Sequence, residues 1–123
     1  MATVALSKDN FEETVTSNGI VLVDFWAGWC GPCRTFAPVF ESAAERHGDI
    51  VFAKVDTENE YELAAQFGIM SIPTLMAFRD QVLIYSQPGA LPASALEELI
   101  TKIRALDMDD VRRQIQEQAR AAS

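Results

Sequence analysis

Only two cysteines, Cys30 and Cys33, and a single histidine, His47, occur in this chain of 123 residues. A structural zinc site, which takes four nitrogen or sulfur ligands, is therefore short of donors. Covalent haem would need a histidine directly after Cys33, where Arg34 stands, and a four-cysteine iron–sulfur cluster needs more thiolates than the chain holds. No apolar run reaches transmembrane length. The stretch from Met1 to Asp9 lacks the basic region and long apolar segment of a secretory signal, and Asp9 and Glu12 follow quickly, so a cytoplasmic, reducing compartment is expected. Basic residues are outnumbered, 10 Lys and Arg against 18 Asp and Glu, and the net charge of −8 disfavours nucleic acid and anionic membrane as partners. Internal repeats, phosphate-binding glycine loops and low-complexity linkers are all missing. With 49% hydrophobic and 23% charged residues, the composition is that of an ordinary globular domain with one substantial core.

The two cysteines stand in Trp29-Cys30-Gly31-Pro32-Cys33, where an apolar strand-like run ends and a helix-like one begins. Two sulfurs one helical turn apart can cycle between dithiol and disulfide. Ile20 to Trp26 (IVLVDFW) is dense in β-branched and aromatic residues and suits a buried strand, while Pro32 fits the first turn of a helix, where no hydrogen bond is lost. With Cys30 at that helix N-terminus, unpaired N–H groups and the macrodipole stabilise its thiolate, into the roughly 3.5–7.5 pKa range of such motifs. Cys30 is then the expected nucleophile and Cys33 the resolving thiol. A permanent structural disulfide of so short a span would restrict the unfolded chain little.

Around this motif, Thr3 to Leu6 reads as a short strand, and Ser7 or Asp9 as the N-cap of a helix bearing Phe11 and Val15, stopped at Asn18-Gly19. Asp24 interrupts the otherwise apolar second strand. It is either an edge carboxylate in water or a buried one, whose raised pKa would suit it to take a proton from Cys33. Phe36, Val39, Phe40, Ala43 and Ala44 recur at helical spacing, with Pro38 inside the helix and His47-Gly48 closing it. His47 is expected to be exposed and without a catalytic role. Ile50 to Val55 is a third strand that places Lys54 among apolar neighbours, where it can snorkel to the surface. Glu60 to Phe67 is a short helix with Tyr61, Ala64, Ala65 and Phe67 as its inward residues. Thr74 to Phe78 and Val82 to Ser86 form a hairpin across Arg79-Asp80-Gln81, a turn without glycine. Pro92 to Leu106 carries Leu96, Leu99, Ile100 and Ile103 as a helical stripe. Residues 107–123 form an extension beyond the domain of residues 1–106. Asp107 opens it as an N-cap, and its narrow stripe of Met108, Val111, Ile115 and Ala119 leaves three fates: a frayed tail first, then a helix folded back, then a partner-binding helix. For Ile72-Pro73, the residues alone favour a trans bond.

Val21 to Cys33, VLVDFWAGWCGPC, resembles the active-site segment of the thioredoxin family almost residue for residue, and further matches extend the likeness over about residues 3 to 106. The resemblance implies an α/β thioredoxin fold, a mixed central β-sheet flanked by helices on both faces, and a dithiol–disulfide reductase with no cofactor of its own. It implies that Asp24 is the buried aspartate that takes the resolving cysteine's proton, through water, that Lys54 lies near it, and that Pro73 is cis and faces the cysteine pair. Ser71-Ile72-Pro73-Thr74-Leu75 matches the loop whose backbone holds substrate, and Gly89-Ala90 the rim loop. With Trp29, Gly31, Pro32, Ile72 and Pro73, these would form a flat apolar patch around Cys30. Met70 stands where the family frequently has a basic residue. The implied partners are protein disulfides and a flavin- and NADPH-dependent thioredoxin reductase, with the chain expected as a monomer. Gly31-Pro32 between the cysteines is closer to reductants than to oxidases or isomerases. A protein-binding module of the same fold with incidental thiols is the alternative from another class.

Overall fold

The computed structural model describes residues 2–122. In chain order the elements are β1 (Thr3–Ala5), α1 (Phe11–Thr16), β2 (Ile20–Trp26), α2 (Gly31–Arg46), β3 (Val51–Asp56), α3 (Tyr61–Gln66), β4 (Thr74–Arg79), β5 (Val82–Pro88), α4 (Ala93–Ala105) and α5 (Met108–Ala122). One five-stranded sheet has the order β1-β3-β2-β4-β5. β1, β3 and β2 run parallel, β4 is antiparallel to β2, and β5 is antiparallel to β4. The parallel neighbours are joined through α1 and α2, because a strand can return in parallel only by a crossover, whereas β4 and β5 need only a tight turn.

β2 is central, and both its faces are covered, which is why its apolar run is almost unbroken. The two-residue period sends Leu22 to the side of α2 and α4, where it packs with Phe36, Phe40, Phe52, Leu96 and Ile100. Val21, Val23 and Phe25 go to the side of α1 and α3, with Phe11, Val15 and Leu63. Each large side chain removed from water here contributes about 1.5–3 kcal/mol, so the two clusters hold the helices to the sheet. No helix among the described residues is long and apolar enough to cross a membrane.

Several local expectations are corrected. α1 is not capped by Ser7 or Asp9: Asn10 is its N-cap and makes no side-chain cap bond. Ser7 and Asn10 close the preceding turn instead, Asn10 Oδ1 accepting from the Ser7 N–H at 2.7 Å and Ser7 Oγ from the Asp9 N–H at 3.2 Å. In α3 the buried residues are Leu63 and Ala64, while Tyr61 is 66% exposed and Ala65 is also exposed. The helix is only six residues long, so one turn makes the contact, and Leu63 at its centre takes it. The β4–β5 turn dispenses with glycine by holding Asp80 and Gln81 at φ 50° and 72°, the left-handed geometry that matches strand twist. His47 is half-buried, not exposed: its Nε2 lies 2.8 Å from Glu97 Oε1 and its Nδ1 3.1 Å from Arg104 Nη2.

The extension is helical rather than frayed. Asp107 Oδ1 accepts from the N–H groups of Asp109 and Asp110 at 3.1 and 3.2 Å, satisfying two donors that a helix start leaves open. Met108 is buried and Val111 half-buried, but Ile115 is 46% exposed and residues 116–122 are exposed as well. α5 is therefore anchored at its first turn. Arg112 reaches Asp80 at 3.7 Å, and Arg79 donates to the carbonyls of Ile103 and Leu106 at 2.7 Å each, fixing the corner between α4 and α5.

Candidate active site

β2 and β3 run parallel and end side by side, and the segments that follow them meet at that edge of the sheet, where open α/β sheets place their ligand sites. After β2 the chain turns through Trp29, and Cys30 becomes the N-cap of α2 with extended backbone, Pro32 entering the first turn as expected. The Cys33 N–H donates to Cys30 Sγ at 3.2 Å, so a sulfur occupies the capping place normally filled by an oxygen. Cys30 and Cys33 are joined in a disulfide with their Cα atoms 5.2 Å apart, and no free cysteine remains among the described residues.

Both cysteines are buried, Cys30 at 4% and Cys33 at 3% exposure, and they differ in what they line. Cys30 lines a groove of about 490 Å3 together with Trp29, Gly31, Pro32, Thr57, Ala64, Ile69, Met70, Ser71 and Ile72, whereas Cys33 does not. Trp29 is 67% exposed. Cys30 Sγ lies 3.7 Å from the carbonyl oxygen of Ile72, and the Ile72–Pro73 bond is cis. Pro73 is buried behind the groove, and its carbonyl accepts from the Gly89 N–H at 2.8 Å. Gly89, at φ 111°, and Ala90 are both exposed, and the Gly89 N–H bond holds their loop next to Pro73. Thr57, Ala64 and Ile69 are groove residues that sequence reasoning missed. Thr57 could have been found from its place just past β3, since the end of a parallel strand beside β2 must face the same loop.

Asp24 sits on the side of β2 that α2 covers, is 1% exposed, and neither of its carboxylate oxygens has a hydrogen-bond partner. Burial pushes its pKa from 3.8 up to about 7, and the Lys54 cation pulls it partly back. Lys54 is its register partner on β3, half-buried, with Nζ 5.0 Å from the centre of the Trp26 ring. Both open readings thus resolve: Asp24 is a buried carboxylate and Lys54 is the nearby cation.

A sulfur pair that closes on itself at a helix start, one member lining a groove, makes the protein a redox-active dithiol–disulfide chain of the α/β class. The comparisons with known proteins go further. The thioredoxin family model matches residues 2–102. A Streptomyces coelicolor protein provisionally named thioredoxin 2 is 59% identical over 117 residues, covering 95% of this chain and 87% of that protein. Bacillus subtilis thioredoxin is 42% identical over 103 residues, 83% of this chain and 98% of its own. Among solved structures, a thioredoxin of Plasmodium falciparum superposes with a TM-score of 0.74 at 34% identity, over 81% of this chain and 97% of that one. A variant thioredoxin from Halobacterium salinarum gives 0.78 at 32% identity, over 85% and 92%. The chain belongs to the thioredoxin family, and its chemistry is thiol–disulfide exchange. The Streptomyces match leaves only a handful of residues unmatched and so runs into α5, which the family model does not include.

Proposed function

We propose that the chain reduces protein disulfides with Cys30 as nucleophile and Cys33 as resolving thiol. The observation that carries the assignment is that Cys30 lines the groove and caps α2, while Cys33, one turn into the helix, does not line the groove. In the reduced protein the helix N-terminus and the Cys33 N–H stabilise a Cys30 thiolate. That thiolate attacks one sulfur of a substrate disulfide, forming a mixed disulfide and releasing the other substrate sulfur as a thiolate that takes up a proton. Cys33 then loses its proton and attacks Cys30 Sγ, which re-forms the Cys30–Cys33 bond and frees the second substrate thiol. Two electrons pass to the substrate, and the disulfide seen here is the product state.

Asp24 takes the Cys33 proton, through water. A carboxyl with a pKa of about 7 can accept a proton and give it up again near neutrality, which one in open water at 3.8 does poorly. Lys54 keeps that pKa from climbing higher. Trp29, Gly31, Pro32, Ile72, Pro73, Gly89 and Ala90 receive the substrate segment, a reading supported by Trp29, Gly31, Pro32 and Ile72 lining the groove with Cys30 and by the Gly89 N–H bonding the Pro73 carbonyl. Family membership supports recycling by a flavin- and NADPH-dependent thioredoxin reductase in the cytoplasm, with the chain as a monomeric electron carrier. Residues 1–106 are the redox domain, and residues 107–123 an extension without chemistry of its own, helical over Met108–Ala122. The test is NADPH-coupled reduction of a protein disulfide with the host's thioredoxin reductase. Turnover by the native chain that vanishes in Cys30→Ser is expected; no turnover while both thiols titrate would favour a binding module.

A further inference from the structure

We infer that the groove beside Cys30 selects substrate disulfides flanked by uncharged, apolar residues, with Met70 as the residue that sets this preference. The inference rests on the disulfide-reductase reading and names its substrate class. Apart from Cys30 itself, the groove has no ionisable side chain in its lining, although the chain as a whole carries a net charge of −8. Its walls are the Trp29 indole and the side chains of Ile69, Met70 and Ile72, relieved only by two hydroxyls. Because Cys30 is part of the same lining, a substrate sulfur within bonding reach places its neighbouring residues against these walls.

Met70 is 94% exposed, the most open of the large apolar side chains, and stands at the groove between Ile69 and Ser71. An unbranched thioether adapts to many apolar shapes, and covering it removes apolar surface from water. A carboxylate flanking the substrate cysteine finds no cation in the groove, would be desolvated against apolar walls, and meets an overall negative field. Both effects oppose acidic substrates, but only the contact is insensitive to salt.

The experiment takes the full chain in reduced form and two disulfide-linked model peptides that differ in carrying Leu or Asp on both sides of the cysteine attacked. Reduction of each is followed by chromatography, without a reductase, and the rate constants are compared. Native protein should prefer the Leu peptide roughly tenfold, the scale of one or two methylenes of apolar discrimination. The preference should persist in about 0.5 M salt, where fields between exposed groups are screened. Met70→Lys should shrink it to about twofold or invert it, by pairing with the Asp peptide. Met70→Leu should retain it. Equal rates for the two peptides with native protein, an unchanged ratio in Met70→Lys, or a preference abolished by salt would each overturn the selection while leaving the reductase standing. If the native protein reduces neither peptide, the reductase reading fails and takes the selection with it.

Discussion

The two ends of α2 use polar groups in opposite ways. At its N-terminus the cap is a sulfur, and the carboxylate beneath the helix, Asp24, is buried without a hydrogen bond. At its C-terminus nearly every polar group is paired. Arg46 donates to Glu97 at 2.8 Å, and Arg104 holds Asp49 through two bonds of 2.6 and 3.0 Å. Arg104 also donates to His47 Nδ1, which fixes the histidine hydrogen on Nε2, facing Glu97, because a guanidinium can only donate. The same residue type comes out differently: burial raises Asp24 to about 7, while the hydrogen bonds from Arg104 lower Asp49 to about 2. One end keeps groups reactive by leaving them unsatisfied, and the other joins α2 to α4 by satisfying them.

Removing the chemistry at the N-terminal end breaks the contrast most sharply. Cys30→Ser should lower disulfide reduction by more than about a thousandfold, since the remaining thiol, Cys33, does not line the groove and has no second thiol to complete the exchange. Fluorescence melting of this variant in the reduced state should stay within about 1 kcal/mol of reduced native protein, the usual range for a swap this small.

Next in size is Asp24→Asn. The unfolded carboxyl titrates near 3.8 and the folded one near 7, so between those values the folded state binds the extra proton and stability falls as pH rises. The variant lacks that titration. It should be roughly 2–4 kcal/mol more stable than native protein near pH 8, with the gain disappearing towards pH 4, as read by denaturant titration of the oxidised forms. Its turnover should fall about tenfold at neutral pH, less than the usual loss of a positioned proton acceptor, because water remains to take the proton. Equal stability at both pH values would mean that Asp24 is not held in a desolvated site.

The opposite end should show the opposite slope. Asp49 and Glu97 have lowered pKa values, so their contribution is present above the ordinary carboxylate range and is lost as pH falls through the lowered values, towards about 2 for Asp49. Arg104→Ala should flatten the acid side of the pH–stability curve, shift the melting temperature by no more than a few degrees, and leave turnover unchanged. These are exposed pairs, screened by salt, so the effect is small. The smallest change is expected from a chain ending at Leu106: turnover unchanged, with a modest loss of melting temperature because Met108 no longer covers its site.

The two ends were also unequally legible in the sequence. At the N-terminal end the information is local. Cys30-Gly31-Pro32-Cys33 after IVLVDFW specifies strand, cap, first-turn proline and sulfur spacing within a dozen or so residues. Even there, alternation places Asp24 on a face without showing whether a helix covers it, and the cis Ile72–Pro73 bond came only from resemblance to a family. The C-terminal end is written in residues some fifty positions apart: His47 meets Glu97 and Arg104 because α4 lies beside α2, and no local pattern announces that. Tyr61 failed for a related reason. A six-residue helix has too few turns to define a stripe, so its inward residue is chosen by the sheet it lands on. Gly89-Ala90 was assigned to the patch by likeness alone, and the bond from the Gly89 N–H to the Pro73 carbonyl joins residues too far apart in the chain for a local pattern to announce.

The most direct test of the account is to mix reduced Cys33→Ser with a protein disulfide substrate and map the trapped adduct by mass spectrometry. A stable mixed disulfide on Cys30, with no adduct when Cys30→Ser is treated in the same way, is the predicted result. Ready capture of substrate by Cys33 in Cys30→Ser, or no adduct at Cys30, would contradict the division of labour that the groove and the helix cap imply.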